Sequence, residues 1–197
     1  MFRRFAEDIT FLLIKNKKFD IEDREIYVYG FETLLLNGGL VLMFLIISLI
    51  LNELSYFFSY LVFFIPLRVF AGGYHSSTSE RCFILSNVMY ILSALMTKYI
   101  SFAESKTIIM LLIIIAYGVI ISLSPLVNKN NILDKHQIKR NKIIVYILLF
   151  IDVIIGVILY RYNHDMLVNE CMSIILVTIL LIIGKIKSLK FSTKIAE

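Results

Sequence analysis

Apolar residues along this chain gather into six long runs separated by short polar or charged stretches. At about 20 residues per crossing, the runs at 33–51, 54–70, 82–99, 108–127, 143–160 and 166–184 predict an all-α polytopic membrane protein with six transmembrane helices. The second run is short and carries Pro66 and Arg68, and little more than Asn52 and Glu53 separates it from the first. It suits either a tight hairpin partner or a re-entrant element. Ahead of the runs, Phe2, Phe5, Ala6, Ile9, Leu12 and Leu13 fall on one helical stripe, with Arg3, Arg4, Glu7 and Lys15 off it. Phe11 and Ile14 miss the stripe, yet the pattern is that of an amphipathic helix lying in the headgroup plane. Glu7 and Asp8 break any apolar core too early for a signal peptide. The chain therefore reads as one membrane-embedded domain, with an interfacial region at 1–30, transmembrane helices across 33–184 and a basic tail at 185–197.

Composition agrees with the pattern. Of 197 residues 59% are hydrophobic, more apolar surface than a soluble domain of this length can hide. The net charge of +5 says little until it is placed along the chain. With the N-terminus inside and six spans, 17 of the 20 Lys and Arg residues fall on the inner segments, as the positive-inside bias requires. Only Lys98, Lys106 and Arg161 fall outside. Ten acidic residues share the inner side and leave that face about +7, suited to anionic lipid and acidic peptide. Both termini are then cytoplasmic. No nucleic-acid partner is expected, and two cysteines far apart suggest no disulfide framework.

The longest interruption of the apolar pattern in the first half is 68–82, which reads R-V-F-A-G-G-Y-H-S-S-T-S-E-R-C. It holds one of three histidines, His75, and one of two cysteines, Cys82, at the cytoplasmic edge of the third span. On one continuous helix their α-carbons would stand about 10.5 Å apart, out of contact. Gly72-Gly73 instead breaks the preceding helix, and Ser77-Thr78-Ser79-Glu80 matches a capping box that starts the next. That leaves His75 in a loop and Cys82 in the second turn of a new helix. A loop histidine can fold back to a thiol placed there. A helix N-terminus favours an anion by roughly 0.3–1 kcal/mol, and Arg81 adds positive charge. His75 can serve as imidazolium partner or general base. Gly72 and Gly73 could bring backbone N–H groups close to an oxyanion. Ser76, Asn87 or a residue from another span could orient the imidazole, and the sequence does not choose among them. The competing reading is bland: a cysteine at a span end is usually packing, and a loop histidine is usually solvated. Metal binding is disfavoured, because only His136 could join one His and one Cys from the same side. No cofactor is expected.

Arg68, Gly72-Gly73, His75 and Cys82 at this spacing resemble the signature of the accessory gene regulator B family. Those proteins are membrane cysteine endopeptidases that process the precursors of cyclic autoinducing peptides. The likeness extends to the amphipathic N-terminus, to Tyr29-Gly30 before the first span, and to Pro125 with Asn128 and Lys129 opening a basic loop. Lys139-Arg140-Asn141-Lys142 departs from the family's usual Lys-Pro pattern. The resemblance implies that His75 and Cys82 are the catalytic pair and that Arg68 and Gly73 support processing; Gly72 and Ser76 are expected beside them as substrate-binding residues. It further implies a bacterial cell membrane, a homodimer, and a short amphipathic precursor with an acidic tail. The precursor's tail would be released through a peptidyl thioester, and ring closure would give a thiolactone or lactone.

Two other features stand out. Cys82, Ser86, Tyr90, Ser93 and Thr97 form a narrow polar stripe on the third span, read as a small-polar packing seam rather than a track for peptide. Asp152 lies mid-span, where an acid costs about 2.5–3.5 kcal/mol and is expected to be partnered or to face a cavity. These two features support the rival reading, a transporter or export channel for a small peptide. A non-catalytic scaffold is a third. Cys171 is expected to be packing, and His136 and His164 to be solvated loop residues.

Overall fold

A computed structural model of the chain describes residues 2–16, 20–74, 76, 78–99, 102–126 and 134–196, with the side chains of 102–106 and 189–196 set aside. Its elements are α1 (Phe2–Lys15), α2 (Arg24–Leu51), α3 (Leu54–Ala71), α4 (Ser79–Tyr99), α5 (Phe102–Leu123), α6 (Lys135–Tyr162) and α7 (His164–Ala196). No strand occurs among the described residues. By length and composition α2, α3, α4, α6 and α7 can each cross a membrane, and the apolar stretch Thr107–Leu123 of α5 is a shorter sixth. The all-α polytopic expectation holds.

The boundaries differ where charged residues flank the apolar runs. Helix α2 starts at Arg24, so residues 24–30 are continuous with the first span helix. Helix α6 starts at Lys135, which places Lys139–Lys142 and His136 on a helix rather than in a loop. There Asp134 and Gln137 begin the helix: the Asp134 backbone N–H donates to Gln137 Oε1 at 3.0 Å, half of a capping box. Helix α7 runs on through the basic tail. At 1.5 Å per residue a 28-residue helix is about 42 Å long, against a hydrocarbon core of about 30 Å. Good helix formers such as Lys and Arg carry these helices past the apolar limit.

Helix α3 is continuous despite Pro66. It widens to a π-turn over Tyr60–Phe64, with the Ile65 N–H bonding the Tyr60 carbonyl. This shift absorbs the clash and the lost donor that proline brings to a helix interior. Tyr60 and Phe64 stack across the turn at 4.2 Å. The described segment is therefore one continuous helix of 18 residues, long enough to cross a membrane.

The chain divides into two compact units. The first comprises Met1–Ile50 and Ser76–Ile91. In it the N-terminal stripe splits: Ala6 is fully buried, as is Thr10 beside it, while Phe5 and Leu12 of the stripe stay exposed together with Phe11. Phe2 meets Phe83 at 5.3 Å, a contact made over Gly39, where a side chain would touch both rings. Phe44 stacks on Tyr90 at 4.4 Å, and the Tyr90 hydroxyl bonds Ser48 at 2.5 Å.

The second unit comprises Leu51–His75 and Leu92–Glu197. Helix α7 packs against α3, α5 and α6. Its stretch from Leu167 to Leu181 is largely buried, as expected of a helix apolar on all sides. Polar links tie this core together: Tyr56 donates to Ser93 at 2.6 Å, and Asn169 to Ser55 at 3.3 Å. Of the stripe on α4, Tyr90 and Ser93 are thus packing groups, each bonded within its own unit.

Tyr90→Phe should lower stability by on the order of 1 kcal/mol, because Ser48 loses its partner. Ser48→Ala added to Tyr90→Phe should cost less than the sum of the two single changes, measured as a double-mutant cycle of thermal unfolding in detergent.

Candidate active site

Helix α3 ends at Ala71 because the next two residues leave the helical region. Gly72 has φ 78° and Gly73 φ 128°, backbone states that only glycine adopts without strain. The reversal is held by neighbours on three sides. The Leu126 N–H bonds the Ala71 carbonyl at 2.9 Å, forming an isolated parallel bridge between Gly72 and Leu126. The Tyr74 N–H bonds the Leu180 carbonyl of α7 at 2.9 Å. Arg68, one turn back on α3, donates from Nη2 to the Tyr74 carbonyl. Above the turn, the Lys187 ammonium lies 4.7 Å from the centre of the Tyr74 ring.

Space is as restricted as conformation. A β-carbon at Gly72 would come within 2.9 Å of the Leu126 carbonyl oxygen, and one at Gly73 within 2.8 Å of Arg68 Nη1. On α7, a β-carbon at Gly184 would lie 2.7 Å from the Tyr74 nitrogen. Three glycines thus let three backbone segments meet. The Gly72 N–H is spent on the Arg68 carbonyl at 3.2 Å, so in this geometry it is not offered to an oxyanion. What the structure shows of Gly72 is a close approach and a reversed φ.

Cys82 lies in the first unit and is described there. Thr78 caps α4: its Oγ1 accepts from the Arg81 N–H at 3.3 Å, and its carbonyl accepts from the Cys82 N–H at 3.0 Å. The cap therefore falls on Thr78, and Cys82 closes the first turn rather than entering the second. The physical reason is register: the same Ser/Thr run offers more than one capping hydroxyl, and the second anchors the bond. Ser79 reaches across to Glu32 Oε1 at 2.8 Å, fixing the start of α4 against α2. Cys82 is a free thiol of intermediate exposure, and Ser76 is also half-buried. Asn87 is nearly buried and donates to the Phe83 carbonyl at 2.8 Å.

His75 lies outside the described residues, as do Ser77, Asn128 and Lys129. The structure brings together Arg68, Gly72, Gly73 and Tyr74. Leu126, Leu180, Gly184 and Lys187, which complete the clamp, were not singled out from sequence. Gly184 at the end of an apolar run was the available signal. His136 and His164 occupy the first turns of α6 and α7, and His164 sits edge-on to Tyr160 at 5.9 Å. Cys171 is buried with Ile109 and Leu167, as packing requires.

The family model described as Accessory gene regulator B matches residues 6–186. Accessory gene regulator protein B of Staphylococcus aureus strain MW2 is 27% identical over 145 residues, covering 72% of this chain and 76% of that protein. The corresponding protein of strain MRSA252 is 26% identical over the same length and shares. No solved structure matches the chain.

Gly184→Ala should disturb the turn, although Ala is the better helix former by about 1 kcal/mol. The readout is hydrogen exchange at the Tyr74 amide, whose protection should fall at least tenfold. The same change at Gly118, which has open space around it, should leave Tyr74 unaffected.

Proposed function

Because the chain belongs to the accessory gene regulator B family, whose role is in accessory gene regulator quorum sensing, we propose that it is a membrane cysteine endopeptidase acting on a quorum-sensing precursor peptide. The observation that carries this reading is a free, half-exposed thiol closing the first turn of α4. A tightly clamped glycine turn ends just before His75. Four residues, 75–78, join the Tyr74 turn to α4.

On this reading Cys82 Sγ, relieved of its proton by His75, attacks the carbonyl carbon of the peptide bond that precedes the precursor's acidic tail. The tetrahedral adduct collapses as His75 returns the proton to the leaving amine. The tail departs, and the remaining peptide is held as a thioester on Cys82. A cysteine or serine of that peptide then attacks the thioester carbonyl, and the Cys82 thiol leaves with a proton. The ring closes as a thiolactone or lactone, and no ATP is needed. Arg68 is a positioning residue: by holding the Tyr74 carbonyl it fixes the residue before His75. The positive-inside count supports cytoplasmic termini and a catalytic centre on that face. A homodimer and anionic lipid are the partners proposed with the peptide. Tyr90 and Ser93 engage Ser48 and Tyr56, which counts against a polar transport track along α4.

Mass spectrometry of co-expressed precursor should find the tail released and a peptidyl adduct on Cys82. Cys82→Ala and His75→Ala should abolish both while membrane insertion persists. Arg68→Ala should slow release by about 10²-fold, the size of a small misplacement. Tail release by the Cys82→Ala protein would overturn the proposal.

A further inference from the structure

A cavity of about 370 Å³ opens among α5, α6 and α7 in the second unit. It lies well along α7 from the glycine turn: Glu170 and Leu180 are ten residues, or about 15 Å of helix, apart. Ile109, Ile113, Val157, Leu167 and Ile174 make its walls apolar, yet Asp152 and Glu170 both line it. Asp152 is 5% exposed and Glu170 2%. Among the described residues, Asp152 Oδ2 and Glu170 Oε2 have no hydrogen-bond partner.

The two acids converge. Asp152 and Gly156 stand one turn apart on α6 and share a face. A β-carbon at Gly156 would lie 3.3 Å from Glu170 Oε1 and 3.5 Å from Oε2, so the Glu170 carboxyl group rests in the notch that the glycine leaves beside Asp152. No basic side chain lines the cavity among the described residues. Tyr117, Tyr160 and Cys171 also line the space, yet among the described residues no hydrogen bond reaches Asp152 Oδ2 or Glu170 Oε2, and no countercharge is supplied.

We propose that this cavity binds a primary ammonium group carried on an apolar chain or ring. The ammonium offers three donors and no acceptor, which complements two orphan carboxyl oxygens. One carboxylate balances its charge, and the second group accepts a further hydrogen bond. The apolar body fills the rest of the space, whose volume falls within the range of about 300–1,000 Å³ for small-molecule sites. A bare metal ion is the poorer occupant. Among the described residues no third His, Cys, Asp or Glu joins these two to hold one, and an ion would leave the apolar walls unfilled. The site is independent of the Cys82 chemistry.

The test uses the full chain in phosphatidylcholine nanodiscs, with radiolabelled n-hexylammonium as probe and empty nanodiscs as blank. One saturable site is expected, with n-hexanol competing at least tenfold more weakly than unlabelled hexylammonium. Asp152→Asn and Glu170→Gln should each weaken binding at least tenfold. Ile113→Trp, which fills the cavity and keeps both acids, should abolish it, with each variant checked for monodispersity. Cys82→Ala should bind as the wild type does. Absence of saturable binding to the wild type would overturn the proposal, as would equal competition by hexanol. Undiminished binding to the Asp152→Asn/Glu170→Gln protein would also overturn it. Displacement by sodium chloride, but not by choline chloride at equal ionic strength, would assign the site to an inorganic cation instead.

Discussion

The irregular backbone at Gly72–Tyr74 is the constraint on which the candidate site depends. Inside or beside a bilayer, backbone that leaves the helix must find partners for its N–H and C=O groups within the protein. Here the partners come from three elements: Arg68 a turn back on α3 and, far along the chain, Leu126 after α5 and Leu180 on α7. Each needs a close approach, and glycine at 72, 73 and 184 provides it. The segment that leads to His75 is consequently fixed by the packing of its whole unit. Such fixing is what a reacting side chain requires if it is to be preorganised.

Helix α7 links this turn to the acidic cavity. Its buried face carries Glu170 at one level and Leu180 and Gly184 at another, with the exposed Lys187 a turn further on. Two glycines on neighbouring parts of the bundle act in contrasting ways. Gly184 makes room for backbone, so that the Tyr74 nitrogen can reach a carbonyl. Gly156 makes room for a carboxyl group, so that an acid can lie beside another acid in apolar surroundings. An acid in mid-span, as Asp152 is, costs about 2.5–3.5 kcal/mol, and Glu170 near the start of α7 adds a second buried acid to the same apolar cavity. Apolar side chains of similar volume would pack there without that cost, which makes a purely structural origin for the pair hard to sustain.

Hydrophobic periodicity carried most of the fold, because six apolar runs can only become helices where water is scarce. It placed the ends poorly, since lysine and arginine extend α6 and α7 beyond the apolar limit at little cost. It also could not foresee the π-turn that keeps α3 intact through Pro66. Within the site, the Gly72-Gly73 break and the helix start at Thr78–Ser79 were legible from local turn and cap chemistry. The assignment of an N–H to an oxyanion was not, because the fate of Gly72 depends on where Arg68 and Leu126 lie. Asp152 announced itself as an acid in an apolar run. Glu170 did not, because Asn169 and Cys171 beside it make the start of α7 read as a polar helix end. Only the packing of α6 on α7 joins the two acids.

The exposure of Cys82 bears on the proposed chemistry in a way that composition does not. A thioester is open to water as well as to the peptide's own nucleophile, and a half-exposed sulfur is not sealed off. Sealing is not the only way to favour the ring, however. A well-oriented intramolecular attack reaches effective molarities of about 10⁵–10⁸ M, far above the concentration of water itself. On the proposed route, cyclisation therefore prevails when the retained peptide is held with its nucleophile over the thioester carbonyl, even where solvent reaches the sulfur. The demand then falls on the surfaces that grip the peptide rather than on the exclusion of water.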